Sequence, residues 1–118
     1  MMPDESTLVR NFTMLTKRED LSTEEFRDYW RNVHAPMARR LPGLVAYVQH
    51  HVVDSFARSD VPAPDANIDG VTELVFTSRA AMDEALNSEL GRRLAEDAKN
   101  FMSQMRGYVV EDVVIVEP

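Results

Sequence analysis

Residues 22–43 read STEEFRDYWRNVHAPMARRLPG, and this stretch decides the fold. Ser22 suits an N-cap and Glu25 stands three residues on, the pattern of a capping box, while Leu21 and Phe26 occupy the two positions of a hydrophobic staple. From there Phe26, Trp30, Val33, Met37 and Leu41 recur at threes and fours, which predicts one buried helical face. Pro42 and Gly43 predict its end, since the residue before a proline is pushed out of the helical region and glycine accepts unusual dihedrals. Pro36 interrupts the pattern from within. It has no amide hydrogen, so the carbonyl of Asn32 loses its helical partner and the helix must bend or open there. The distortion falls beside His34, which gives that ring a way to turn from the helix–sheet seam toward a cavity.

Working outward, residues 7–16 (TLVRNFTMLT) alternate as a strand, with Leu8, Phe12 and Met14 on one face and Asn11 and Thr13 on the other. Residues 44–53 (LVAYVQHHVV), 71–77 (VTELVFT) and 108–116 (YVVEDVVIV) are rich in β-branched and aromatic residues and predict three more strands. Ser78 can cap a helical run carrying Met82, Leu86, Leu90, Leu94, Phe101 and Met105, with Asn87-Ser88 as a place for it to split. Between the second and third strands, residues 54–70 (DSFARSDVPAPDANIDG) hold two prolines and no period. A connection of that length is typical of lids or mobile segments.

The order β-α-β-β-α-β predicts an α+β, ferredoxin-like fold over residues 1–118: a four-stranded antiparallel sheet with both helices on one face. With Ala46, Val48 and Val52 under the helices, a period of two sends Val45, Tyr47, Gln49 and His51 to the open face. By the same parity Leu74 and Phe76 point inward, and Val71, Glu73 and Val75 outward. Such an open face is too apolar to be left in water, which predicts a homodimer whose two open faces enclose a pocket.

A chain of 118 residues with 44% hydrophobic and 28% charged residues fits one domain with a single core. The net charge of −7 leaves no positive excess to neutralise phosphates, so nucleic acid and anionic membrane surfaces are disfavoured. With no cysteine, disulfides, thiolate metal sites and a nucleophilic thiol are excluded. No stretch approaches the ~20 apolar residues of a membrane span, and the first ten residues lack the pattern of a signal peptide. A cytoplasmic location is expected.

A pocket holding His34, Tyr47, His51 and Glu73 would suffice for general acid–base chemistry. His34 would abstract or relay a proton, Tyr47 would hydrogen-bond a carbonyl or phenolate oxygen, and His51 or Glu73 would be the second proton carrier. Asn11, Trp30, Gln49 and Val75 are the expected substrate contacts, although Trp30 also continues the core stripe. Each has a structural alternative: His34 capping the last helical turn, Tyr47 packing, His51 facing solvent, Glu73 paired with an arginine at the rim. His50 and His51 are neighbours in a strand and point to opposite faces, so no metal site is expected. The four glycines are dispersed and make no phosphate-cradling loop.

The stretch KREDLSTEEFRDYWRNVHAPMARRLPGLVAYVQHHVVD, with IDGVTELVF and EDAKNFM, resembles the EthD family of dimeric α/β-barrel proteins. The resemblance rests on F-x-x-x-W-x-x-x-H-x-P (Phe26, Trp30, His34, Pro36) followed by L-P-G-x-x-x-Y (Leu41 to Tyr47), and runs over residues 17–102. That family includes a methylmuconolactone isomerase and fungal polyketide decarboxylases and dehydratases. The resemblance implies that His34 and Tyr47 match the histidine and tyrosine lining the isomerase pocket. The isomerase also depends on a cysteine, which this chain lacks. What the resemblance implies is a homodimeric, cofactor-free enzyme of isomerase, lyase or cyclase type. Its substrate would be a small hydrophobic cyclic or aromatic carbonyl compound of catabolism or polyketide-type metabolism. Two alternatives stay open: a cofactor-independent or haem-dependent monooxygenase of the same barrel superfamily, and a non-catalytic ligand-binding accessory protein.

Overall fold

The capping box at Ser22 forms as the sequence predicts: Ser22 Oγ accepts from the Glu25 amide at 3.0 Å and Glu25 Oε1 accepts from the Ser22 amide at 2.9 Å. Leu21 packs on the cluster that contains Phe26, completing the staple. In this computed structural model, which describes residues 7–118, the elements follow as β1 (Val9–Lys17), α1 (Thr23–Tyr29), a π-helical turn (Trp30–His34) and α2 (Ala35–Ala38), then β2 (Leu44–His51), β3 (Gly70–Phe76), α3 (Arg79–Leu86), α4 (Glu89–Ala98) and β4 (Met102–Val110). The first six residues of the expected domain lie outside the described ones. The sheet order is β2-β3-β1-β4 and every neighbouring pair is antiparallel, so the fold is the expected ferredoxin-like α+β arrangement. No helix among the described residues is long and apolar enough to cross a membrane.

Ser78 and Ser88 cap α3 and α4, and the predicted split falls at Asn87. The end of the chain differs from the sequence reading. Phe101 and Met105 were expected on the helix, yet α4 stops at Ala98 and the last strand begins at Met102 rather than at residue 108. That strand ends at Val110 because its neighbour runs out: Val110 pairs with Arg10, and β1 itself begins at Val9. Residues 111–118 are consequently not in a strand, despite their four consecutive aliphatics.

The predicted facing of β2 is inverted, and a bulge is the reason. Leu44 pairs with Phe76 and packs on the core, but Ala46 pairs with Val75, so Val45 is an extra residue that shifts the phase by one. Tyr47, Gln49 and His51 thereby face the helices, while Ala46 and Val48 lie on the open face. β3 keeps the expected facing, with Leu74 and Phe76 in the core and Glu73 on the open side.

Two apolar clusters hold the helices to the sheet. Ala38, Leu41, Leu74, Phe76, Met82, Ala85 and Leu94 form one, and Leu15, Phe26, Trp30 and Phe101 form the other. Trp30 is 1% exposed and packs against Gly70 of β3, where a β-carbon would sit 2.6 Å from the indole ring. A Gly70→Ala exchange should therefore cost about 1–3 kcal/mol by overpacking. Denaturant unfolding measures it, and a variant as stable as the parent would show that the indole has room to move.

Candidate active site

Pro36 decides how the first helix presents its side chains. Just before it, the Ala35 amide reaches back five residues to the Trp30 carbonyl, closing a π-helical turn over Trp30–His34. A π-turn takes up one residue more than an α-turn, so side chains beyond it rotate by about 100° relative to an unbroken helix. Val33, expected inside, is 46% exposed, and His34 is 9% exposed in its place.

His34 lines a cavity of about 420 Å³ between the helices and the sheet, within a single chain. The sequence reading placed the pocket on the open face, and the inverted β2 moves it. Leu15, Ala38, Leu41, Leu74, Met82 and Leu94 supply apolar wall, while Asn11, Thr13, Thr72, His34 and Tyr47 bring polar atoms. That volume and balance suit a small organic ligand. Leu86, Met105 and Val109 also line it and are exposed, so the cavity opens along the β4 edge. A larger concavity of about 1090 Å³ lies under the loop between β2 and β3, and neither His34 nor Tyr47 borders it.

His34 does not stand alone. Its Nδ1 lies 2.7 Å from Asp97 Oδ2, and Asp97 Oδ1 accepts from the Tyr29 hydroxyl at 2.6 Å and from Asn100 Nδ2 at 3.2 Å. The Phe101 ring packs against the imidazole at 4.9 Å between centroids. Burial alone would raise the pKa of Asp97, but the hydrogen bonds from Tyr29, His34 and Asn100 outweigh it and hold the carboxyl below its usual range. The same contact pushes the Tyr29 hydroxyl upward. A carboxylate on Nδ1 fixes the tautomer: Nδ1 carries the proton, and Nε2 is left as a base with no protein partner among the described residues.

Tyr47 borders the same cavity. Burial raises its pKa, against the opposing effect of hydrogen bonds from Gln49 and the Trp30 side chain, so the phenol keeps its proton. Asn11 is 7% exposed, its Nδ2 makes only a weak contact with Met82 Sδ at 3.4 Å, and its Oδ1 has no partner among the described residues. An unpaired buried amide oxygen on a cavity wall is an acceptor waiting for a donor.

The remaining expected site residues lie elsewhere. Trp30 is in the core with His51 stacked on it at 4.8 Å, and Gln49 bridges the two elements. Glu73 and Val75 are on the opposite face of the sheet and cannot share a pocket with His34. Glu73 Oε1 is 2.8 Å from His50 Nε2 and its Oε2 is 3.2 Å from Arg10 Nε, which is the arginine-paired alternative. No three histidine, aspartate or glutamate side chains among the described residues converge as a metal site. Asp97 is the residue the sequence reading missed. It stands three after Leu94 and four before Phe101, a carboxylate on an otherwise apolar stripe, and it lies within the EDAKNFM stretch that shares in the resemblance.

The EthD domain profile matches residues 18–105. The chain belongs to the EthD domain family. A 4-carboxymethyl-4-methylbutenolide mutase of Pseudomonas reinekei is 30% identical over 108 residues, covering 91% of this chain and all of the relative. Among solved structures, an EthD family protein of Bacillus halodurans C-125 superposes with a TM-score of 0.72 at 20% identity, over 90% of this chain and 99% of that one. SnoaB, a cofactor-independent oxygenase from Streptomyces nogalater, superposes as an N63A mutant with a TM-score of 0.62 at 17% identity, over 94% and 99%. Both likenesses are of fold.

For this EthD domain the Asp97 cluster makes a pH-dependent contribution to stability. A carboxyl held below its unfolded pKa stabilises the fold above that unfolded value, and the contribution fades as pH falls through the folded value. Asp97→Asn should cost about 1–3 kcal/mol at neutral pH. The gap between parent and variant should close as the pH drops through and below the ordinary carboxylate range. Urea unfolding over a pH series reads this, and a gap that stays constant would show the carboxylate charge to be irrelevant.

Proposed function

We propose that the protein is a cofactor-free enzyme of isomerase or lyase type that moves a proton on a small cyclic or aromatic carbonyl compound. The observation that carries this reading is His34: one ring nitrogen is held by the Asp97 carboxylate while the ring borders an apolar cavity shared with Tyr47. In the proposed reaction His34 Nε2 takes a proton from carbon adjacent to the carbonyl, and the Tyr47 hydroxyl stabilises the negative charge that develops on the oxygen. Asp97 stabilises the imidazolium so formed. With no cysteine in the chain, addition of a thiolate to the substrate is not available, and proton transfer is the chemistry these side chains support. The butenolide mutase relative supports a compact lactone-like substrate as the first to try.

The test is incubation of 4-carboxymethyl-4-methylbutenolide and related enolisable lactones and cyclic ketones in D₂O, with NMR following both turnover and exchange at the activated carbon. His34→Ala and Tyr47→Phe should each lower kcat by about 10²–10⁴ while ligand binding persists. If parent and variants differ only in affinity and none exchanges a proton, the protein is a ligand-binding accessory instead.

We also propose that the open face of the sheet packs against a second copy of this chain. Phe12 and Met14 of β1, Val48 of β2 and Val71 of β3 lie there, and Val48 is 42% exposed. Apolar side chains concentrated on a sheet face support burial against a partner. Sedimentation should give a dimer for the parent and a monomer for Val48→Glu; a parent that sediments as a monomer at tens of micromolar contradicts the proposal.

A further inference from the structure

Tyr47, Gln49 and His51 lie on one face of β2 and are joined by a continuous line of hydrogen bonds. Gln49 Nε2 is 2.9 Å from the Tyr47 hydroxyl and 3.0 Å from the Trp30 carbonyl oxygen, and His51 Nε2 is 3.1 Å from Gln49 Oε1. The direction of this line is set by its one unambiguous member. A backbone carbonyl can only accept, so the Gln49 atom facing Trp30 must be the NH₂ group. The same NH₂ then donates its second hydrogen to Tyr47. The other Gln49 atom is consequently the carbonyl oxygen, which requires His51 Nε2 to carry a hydrogen.

The polarity ends at the phenol. Tyr47 oxygen accepts from Gln49, and no acceptor for its own proton exists among the described residues, although its ring borders the cavity. We infer that Gln49 and His51 are positioning residues that commit Tyr47 to donating its proton into the cavity, so that the ligand must place a carbonyl, enolate or phenolate oxygen there. This rests on the proposed site but not on turnover. It assigns the oxygen end of the ligand and gives work to two residues that do not border the cavity.

Three features keep the line from reversing. The π-turn fixes where the Trp30 carbonyl points, because that oxygen already accepts from the Ala35 amide and has one lone pair left for Gln49. The Trp30 indole stacks on the His51 ring at 4.8 Å and 20°, which holds the ring's orientation. Burial, with the cations Arg27 and Arg31 nearby, lowers the His51 pKa, so the ring is neutral near pH 7 and its tautomer has meaning.

Two experiments test the inference. The first uses the free protein: ¹⁵N NMR of labelled histidine should show His51 as the neutral Nε2–H tautomer at pH 7.5, and an Nδ1–H tautomer overturns the proposal. The second uses 4-nitrophenol, whose absorbance reports its ionisation. The parent should bind the phenolate in preference to the phenol, lowering the apparent pKa of the bound probe. Tyr47→Phe and Gln49→Glu should lose that preference by about tenfold or more, a loss of ~1.4 kcal/mol. Gln49→Met, which carries no charge, should also weaken it and so separates lost polarity from repulsion. Nitrobenzene, of similar shape without an ionisable oxygen, should bind all four proteins alike, and His51→Gln, which keeps a donor, should retain the phenolate preference. A parent without that preference, or a Gln49→Met variant that keeps it in full, overturns the inference. Loss of turnover on every carbonyl substrate with the preference intact would instead refute the catalytic reading and leave this one standing.

Discussion

The amide hydrogen that Pro36 lacks is the constraint from which the site follows. An uninterrupted helix would carry Val33 and His34 on either side of the Trp30 stripe, with Val33 nearer its centre. The π-turn reverses this, with the Ala35 amide reaching the Trp30 carbonyl across five residues. Such a turn gives up favourable hydrogen-bond geometry, of the order of 1 kcal/mol for each backbone bond weakened. What holds it in place is the aromatic packing on either side. Trp30 and Phe26 meet at 5.6 Å, Phe26 and Phe101 at 5.7 Å, and Tyr29 and Phe101 at 5.1 Å, with Trp30, Phe26 and Phe101 almost fully buried. Buried aromatics of this size contribute several kcal/mol together, enough to over-determine the local distortion.

The two ends of the site are prepared by different means. At one end, Asp97 accepts a hydrogen bond from His34 Nδ1–H and leaves Nε2 as an acceptor. At the other, Gln49 occupies a lone pair of Tyr47 and leaves its proton free. In the proposed reaction a base and a hydrogen-bond donor bordering one cavity act together, because the carbon loses a proton as the oxygen gains charge. Both assignments come from groups outside the cavity, so the polarity of the site is fixed by the fold before any ligand arrives.

Much of the architecture was legible in the sequence, and the misses trace to one-residue insertions and to long-range contacts. The capping box, the serine cap of α3, the split at Asn87 and the antiparallel sheet followed from short-range rules, and Ser88 proved to cap the helix after the split. Alternation in β1 separated its two faces without saying which of them meets the helices, whereas the facing of β3 followed from strict alternation. β2 did not, because a bulge at Val45 leaves the alternation intact to the eye while shifting its phase. Val33 and His34 exchanged places for a similar reason, one residue added in a π-turn. Met105 fitted a helical stripe as well as a strand, and only the tertiary pairing with Leu15 decides between them. Asp97 meets His34 across 63 positions of sequence, a contact no local period encodes.

The cavity itself is a consequence of small side chains placed where the core would otherwise close. Thr13 on β1, Thr72 on β3 and Gly107 on β4 lie on the helix-facing floor, with Ala38 and Gly91 above. The space they leave is bordered by members of both apolar clusters, Leu15 from one and Leu41, Leu74, Met82 and Leu94 from the other. Gly107 makes the case most directly. A β-carbon there would meet Thr13 Oγ1 at 3.4 Å, an ordinary contact, so nothing in the backbone or the packing demands a glycine. A longer side chain would be accommodated by the fold and would take its volume from the cavity mouth.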